Sequence, residues 1–217
     1  MTALGNVRVT NLAASVIHKP LKTAGFTKHG CNFVKHLKDK GQIVCVGIQA
    51  WRGHPSNERF FLNYSVTSLL ISRFLYPGFL DTSCTHLTGT WHLRGEINDR
   101  SYWSYSRDVI NDPSLLATAA KNELSKLYEC PNDVEVLDEI LYGNPWVGSL
   151  RFVLSRLEAI KTAIALATII GDNRKLLDAR KMLDAHINAG KASSDTTHAL
   201  EGELAVFLRS ELAEESA

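Results

Sequence analysis

Two hydrophobic periods divide this chain, and together they leave few folds open. Between residues 31 and 97 apolar side chains recur at every second position, and from residue 112 onward they recur at helical spacing. The first period is that of a strand with one buried face, and the second that of an amphipathic helix. An N-terminal helix, an antiparallel sheet of about four strands and a helical C-terminal half follow. The fold class is α+β.

The strands are read from their alternation. QIVCVGIQAW puts Val44, Val46, Ile48 and Ala50 on one face, and ERFFLNYSVTS puts Phe60, Leu62, Tyr64 and Val66 on one face. The turn-rich RGHPSN between them makes an antiparallel hairpin. WHLRGEI supplies a third strand, with Trp91, Leu93, Gly95 and Ile97 on one side and His92, Arg94 and Glu96 on the other. CNFVKHL gives a shorter strand before the hairpin. Ahead of it, residues 6 to 24 read as a helix through Val7, Leu12, Val16, Ile17 and Leu21. Pro20 lacks a backbone N–H, so a kink or restart is expected there, and Gly25 ends the helix.

In the second half, Asp112-Pro113 is a capping oxygen followed by a residue pre-set for a first turn. One helix is expected through LLATAAKNELSKLY and a short one through DVEVLDEIL after Pro131 and Asn132. YGNP at 142–145 breaks the chain. Three helices follow, over residues 145–170, 173–189 and about 196–213, with Gly171-Asp172 and Gly190 at their ends. Short connections between them suit an antiparallel bundle. The expected organisation is an α+β domain over residues 1–142 and a helical bundle extension over residues 143–217.

Composition narrows the partners. Of 217 residues 22% are charged, and the net charge is +1. That balance gives no broad basic field for nucleic acid. The lysines between residues 18 and 40 read as a solvated surface. The N-terminus lacks a basic start followed by an apolar run, and the apolar stretch 159–171 is too short to span a bilayer and contains Lys161. Cys31, Cys45, Cys84 and Cys130 are dispersed, with no paired spacing for zinc. A cytoplasmic protein with reduced thiols, no membrane and no cofactor is the simplest reading.

Period two also determines the face opposite the core. It carries Cys45, Gln49 and Trp51 from one strand and Arg59, Phe61, Asn63 and Ser65 from the next. His92, Arg94 and Glu96 join it if the third strand pairs alongside. Arginine's fixed fork suits carboxylate or phosphate. Arg59 and Arg94 are therefore candidate anion readers, with Gln49 and Asn63 as hydrogen-bonding groups. The plainer alternative is that helices cover this face and the arginines pair with Glu58 or Glu96. Cys84, His86 and His92 share a face as metal ligands only on one unbroken strand, and Gly89 favours a bend there, so ordinary surface or core histidines are expected. Cys31 near His29 lacks any motif of a nucleophile, and no Gly-x-Ser-x-Gly elbow or phosphate loop is present.

The pieces occur in a familiar order. Leu21, Lys22, Gly25 and Phe26 close a helix; Phe33, Gln49, Phe60 and Asn63 follow on strands; HLRGEI and Trp103 come later. This order resembles a mainly bacterial family labelled domain of unknown function 4304, over roughly residues 10–142. The resemblance implies an α+β domain in a bacterial cytoplasm. That family has no established activity, so it implies no catalytic residues.

The expected function is a non-enzymatic module binding an unknown protein or a small anionic ligand, compatible with an immunity-type accessory role. The alternative is a hydrolase- or transferase-like enzyme with its site on the same face. Single-stranded nucleic acid stacking on Trp51 and Phe61 is a third, weakened by the near-zero net charge and the missing aromatic motif.

Overall fold

The computed structural model describes residues 9–51, 58–76, 90–95, 102–143, 151–152, 154–193 and 195–214. The protein is α+β and divides into two compact units. One comprises Met1–Thr67 with Thr82–Cys130, and the other Ser68–Asp81 with Pro131–Ala217.

The first unit begins with helix α1 (Val9–Thr23). Pro20 lies inside it and the helix does not restart there. The missing N–H removes a single i→i−4 bond, and the Pro20 carbonyl still accepts from Ala24. Gly25 then takes φ +88, the left-handed region that glycine enters without a side-chain clash. Strands β1 (Thr27–His29), β2 (Asn32–Leu37), β3 (Gln42–Ala50), β4 (Arg59–Ser68) and β5 (Trp91–Gly95) follow in the sheet order β1-β2-β3-β4-β5. Strand β6 (Trp103–Ser104) pairs with the start of β4. The period-two reading found the four longer strands. It missed β1 and β6, which have three and two residues, because so few positions display no period.

Helices α1 and α3 (Pro113–Asn122) cover one face of this sheet. That face carries Phe33, Val46, Phe60, Leu62, Tyr64, Val66 and Trp103, all without exposed surface. The His18 ring of α1 lies 6.2 Å from that of Phe33. The Tyr64 hydroxyl donates to the Ala119 carbonyl of α3 at 2.9 Å. Asp112 caps α3 as expected, accepting from the backbone N–H groups of Ser114 and Leu115. The expected single helix instead breaks at Glu123, and α4 (Leu124–Tyr128) is a separate short piece. Lys40 ties its end down, donating to the carbonyls of Tyr128 and Cys130 at 2.7 and 3.1 Å. Burial pushes the neighbouring Cys130 thiol up to about 12, while Lys40 acts in the opposite direction.

The second unit contains α2 (Leu69–Leu75), α5 (Asp133–Tyr142), α6 (Arg156–Ile170), α7 (Asn173–Asn188) and α8 (Thr196–Glu214). The expected helix over 145–170 is corrected: Arg151–Phe152 is extended, and α6 starts only after Ser155. Ser155 and Glu158 form a reciprocal capping box there, a start signal that the long apolar run obscured. Asn132 and Glu135 make the same motif on α5. Gly171, at φ +75, and Asp172 turn α6 into α7 as expected. Among the described residues, no helix is long and apolar enough to cross a membrane.

At the N-terminus of α2 the Ser68 hydroxyl accepts from the Ile71 N–H and donates to an Asp133 carboxylate oxygen at 2.7 Å. Burial raises the Asp133 carboxyl above the usual range, and the Ser68 bond offsets this in part. The native state therefore holds this proton more tightly than the unfolded chain. Stability from this group is present below the unfolded pKa and is lost as pH rises through the folded one. Asp133→Asn should flatten the decline in stability above the ordinary carboxylate range. Urea melts of both proteins at a series of pH values check this, and parallel curves would contradict it.

Candidate functional site

The face of the sheet opposite α1 and α3 is not uniformly open. Cys45 and Ser65 have no exposed surface and Asn63 is 8% exposed. Gln49, Trp51, Arg59, Phe61 and Tyr102 at one end remain half-buried. Of the described side chains on this face, those at the Arg59 end and His92 keep exposed surface.

Backbone pairing assembles that end. Trp51 follows β3, and its N–H donates to the Arg59 carbonyl at 3.0 Å. Ser104 of β6 lies directly opposite Arg59 in the register. Trp103 pairs with Phe60 and faces the core, so alternation sends its neighbours Tyr102 and Ser104 to the polar side. Farther along β4, Arg94 lies opposite Asn63 and His92 opposite Ser65. The sequence-based grouping of Gln49, Trp51, Arg59, Asn63, His92 and Arg94 on one face therefore holds in the backbone. Glu96, Cys84 and His86 lie outside the described residues.

Arg59 is held by rings. Its guanidinium carbon lies 4.6 Å from the Tyr102 ring centroid and 5.4 Å from that of Trp51. Trp51 stacks on Phe61 at 5.4 Å and meets Tyr102 edge-on at 5.0 Å. Each such cation–π contact contributes about 0.5–2 kcal/mol, depending on desolvation. Ring contact occupies the faces of a guanidinium, while its N–H groups lie in the plane. Among the described residues Arg59 has no carboxylate within ion-pair distance and no hydrogen-bond acceptor. The expected internal pairing with Glu58 does not occur. The Glu58 carboxylate instead accepts from the Ser106 hydroxyl at 2.5 Å, and its carbonyl accepts from the Tyr105 N–H at 2.9 Å.

A π-helical turn, Tyr105–Ile110, closes this end. Asp108 is buried beneath it. One of its carboxylate oxygens accepts from the Ser104 N–H at 2.7 Å, and the other from Arg107 Nε at 3.1 Å. Asp108 thereby fixes the backbone that presents Tyr102 and Ser104. Beside the rings, the Asn63 amide donates to Gln49 Oε1 at 3.0 Å, so these two side chains partly satisfy each other.

Tyr102 and Ser104 were not singled out from the sequence. The signal was present in SYWSYS, where alternation about the apolar Trp103 places both on the Arg59 side. Two residues of strand were too few to trust without the partner strand.

The groups with large buried shifts lie elsewhere. Burial and the Glu123 charge raise Tyr64, whose hydroxyl is committed to Ala119. Cys130 and Asp133 have the structural causes given above. Among the described residues no three His, Cys, Asp or Glu side chains gather as a metal-holding group.

Fold and site together define an α+β protein with an arginine set among aromatic rings at one end of a sheet. Comparison with protein families, with curated proteins and with solved structures finds no match.

Proposed function

We propose that this protein is a binding module that reads a negatively charged group, carboxylate or phosphate, through Arg59. The group belongs to a small ligand or to a segment of a partner protein. The observation that carries the reading is the Arg59 guanidinium itself: ring-stacked, half-buried and without a carboxylate among the described residues. A half-buried charge of this kind gains most from an external anion, because the host rings already limit its side-chain freedom. A non-enzymatic role is preferred because the strongly shifted titratable groups serve packing rather than this end of the sheet. A cytoplasmic setting belongs to the same reading, supported by the dispersed spacing of the four cysteines in the sequence. Base stacking is less well supported, since Trp51 already spends its faces on Phe61 and Arg59.

The test uses tryptophan emission and two probes, inorganic phosphate and a hexaglutamate peptide. Wild-type protein is expected to bind at least one of them with a change in Trp51 emission that Trp51→Phe abolishes. Arg59→Ala should weaken that binding by about 10- to 100-fold, the range of charge-assisted hydrogen bonds. Arg59→Lys should not restore it, because an ammonium lacks the planar fork. Equal affinity in wild type and Arg59→Ala would overturn the reading, as would failure of both probes to bind.

A further inference from the structure

The guanidinium fork of Arg59 matches carboxylate and phosphate alike in shape, so its surroundings decide between them. Arg59 and Ser104 stand opposite each other across β4 and β6. The Ser104 N–H leaves the ladder for Asp108, while the next residue, Tyr105, bonds the Glu58 carbonyl. Arg59 and Ser104 are therefore a pair of the closely spaced, non-hydrogen-bonded kind, in which side chains are nearest.

The protons beside this pair are already spoken for. The Ser106 hydroxyl has one proton and gives it to Glu58 Oε2 at 2.5 Å. Its 3.5 Å contact with Ser104 Oγ therefore takes its proton from Ser104. The relay runs from Ser104 to Ser106 to Glu58, and Ser104 Oγ is left with lone pairs only. Charge is balanced as well. Among the described side chains of this end, Arg107 is bound to Asp108 at 3.1 Å, and Glu58 offsets Arg59. One neutral donor remains. Gln49 accepts from Asn63 through Oε1, and its Nε2 meets no acceptor among the described residues. Gln49 precedes Trp51 by two residues, and the Trp51 N–H bonds the Arg59 carbonyl, so Gln49 and Arg59 reach the same side of the sheet.

We infer that the group read by Arg59 is a carboxylate, and that Glu58, acting with Ser106 and Ser104, is the residue that disfavours phosphate. The inference rests on the anion-reading role of Arg59. A carboxylate brings a single negative charge and two coplanar oxygens, which the Arg59 fork and the Gln49 amide can satisfy. A phosphomonoester at neutral pH brings about two charges and a third terminal oxygen. That third oxygen would meet the Ser104 lone pairs instead of a hydroxyl proton. The second charge would face the Glu58 carboxylate, with no second unpaired cation among the described side chains of this end. Like charges so placed weaken binding.

Two peptides that differ only in one head group provide the test: acetyl-Gly-Glu-Gly-amide and acetyl-Gly-phosphoserine-Gly-amide. Each is titrated at neutral pH into ¹⁵N-labelled full-length protein, and the amide shifts of Tyr102, Ser104 and Tyr105 report the affinity. The glutamate peptide is expected to bind about tenfold more tightly. Glu58→Gln keeps an acceptor for Ser106 and removes only the charge. It should help both peptides, and the phosphopeptide more, because repulsion scales with the charge on the ligand. A gain of about threefold for the glutamate peptide then goes with about tenfold for the phosphopeptide, and the preference narrows. Acetate separates the sources of the carboxylate: affinity equal to that of the glutamate peptide assigns a small ligand, and weaker affinity a partner segment. Equal or tighter binding of the phosphopeptide to wild type, lost in Arg59→Ala, would overturn this inference and leave the anion reading standing. A preference that does not narrow in Glu58→Gln would overturn the role of Glu58. Binding of neither peptide, or binding that Arg59→Ala leaves unchanged, would overturn the anion reading and this inference with it.

Discussion

Replacing Trp103 by alanine is expected to cost about 3–5 kcal/mol, the range for deleting a large buried aromatic side chain. Trp103 has no exposed surface, pairs with Phe60 across β6 and β4, and lies 6.4 Å from its ring in a stacked arrangement. Nothing in a two-residue strand holds it to β4 except that pair and one neighbour, so the cavity left behind would also loosen Tyr102 and Ser104. Trp103→Phe should behave differently. It loses part of the ring but also removes an indole N–H that meets no acceptor among the described residues. An unsatisfied buried donor costs about 1–3 kcal/mol, which offsets much of the lost contact. The Phe variant should therefore stay within about 1.5 kcal/mol of wild type. Urea denaturation of both variants decides: a loss under 1 kcal/mol for Trp103→Ala would show that Phe60 and its neighbours collapse into the space.

The second large effect is expected in α5. Leu137 has no exposed surface, and α5 packs against α6. Leu137→Ala should destabilise by about 2–5 kcal/mol through lost burial and a residual cavity. Val134, on the same helix, is 46% exposed. Its replacement by alanine should fall within about 0.5 kcal/mol of wild type. Both leave the Asn132–Glu135 capping box intact, so helix initiation is constant and the comparison isolates burial. Equal losses in the two variants would mean that α5 is held by its ends rather than by its inward face.

Much of this architecture was legible because a strand's alternation leaves little choice. Val44, Val46, Phe60, Leu62 and Tyr64 had to share a face, and that alone sent Gln49, Arg59 and Asn63 to the other. The register then placed Arg94 opposite Asn63 without further information. Caps written in consecutive residues, such as Asp112-Pro113, were equally readable. Elements whose cause is tertiary were not. The break at Glu123, the π-helical turn after Ser104 and the two-residue strand β6 have no period of their own. The degree to which the polar face is buried was also hidden, since alternation places Ser65 and Asn63 on that face without showing that they have little or no exposed area in the fold.

The order in which the second unit is written along the chain has a consequence for its synthesis. Helix α2 is translated directly after β4, but α6, against which it packs, begins only at Arg156. At ribosomal speeds of about 5–20 residues per second, Ile71 and Phe74 wait on the order of ten seconds for their native cover. During that interval the nascent chain presents a short apolar helix that nothing yet made can bury in its final place. The middle third of the message is therefore read while Ile71 and Phe74 still lack the helix that covers them in the finished fold.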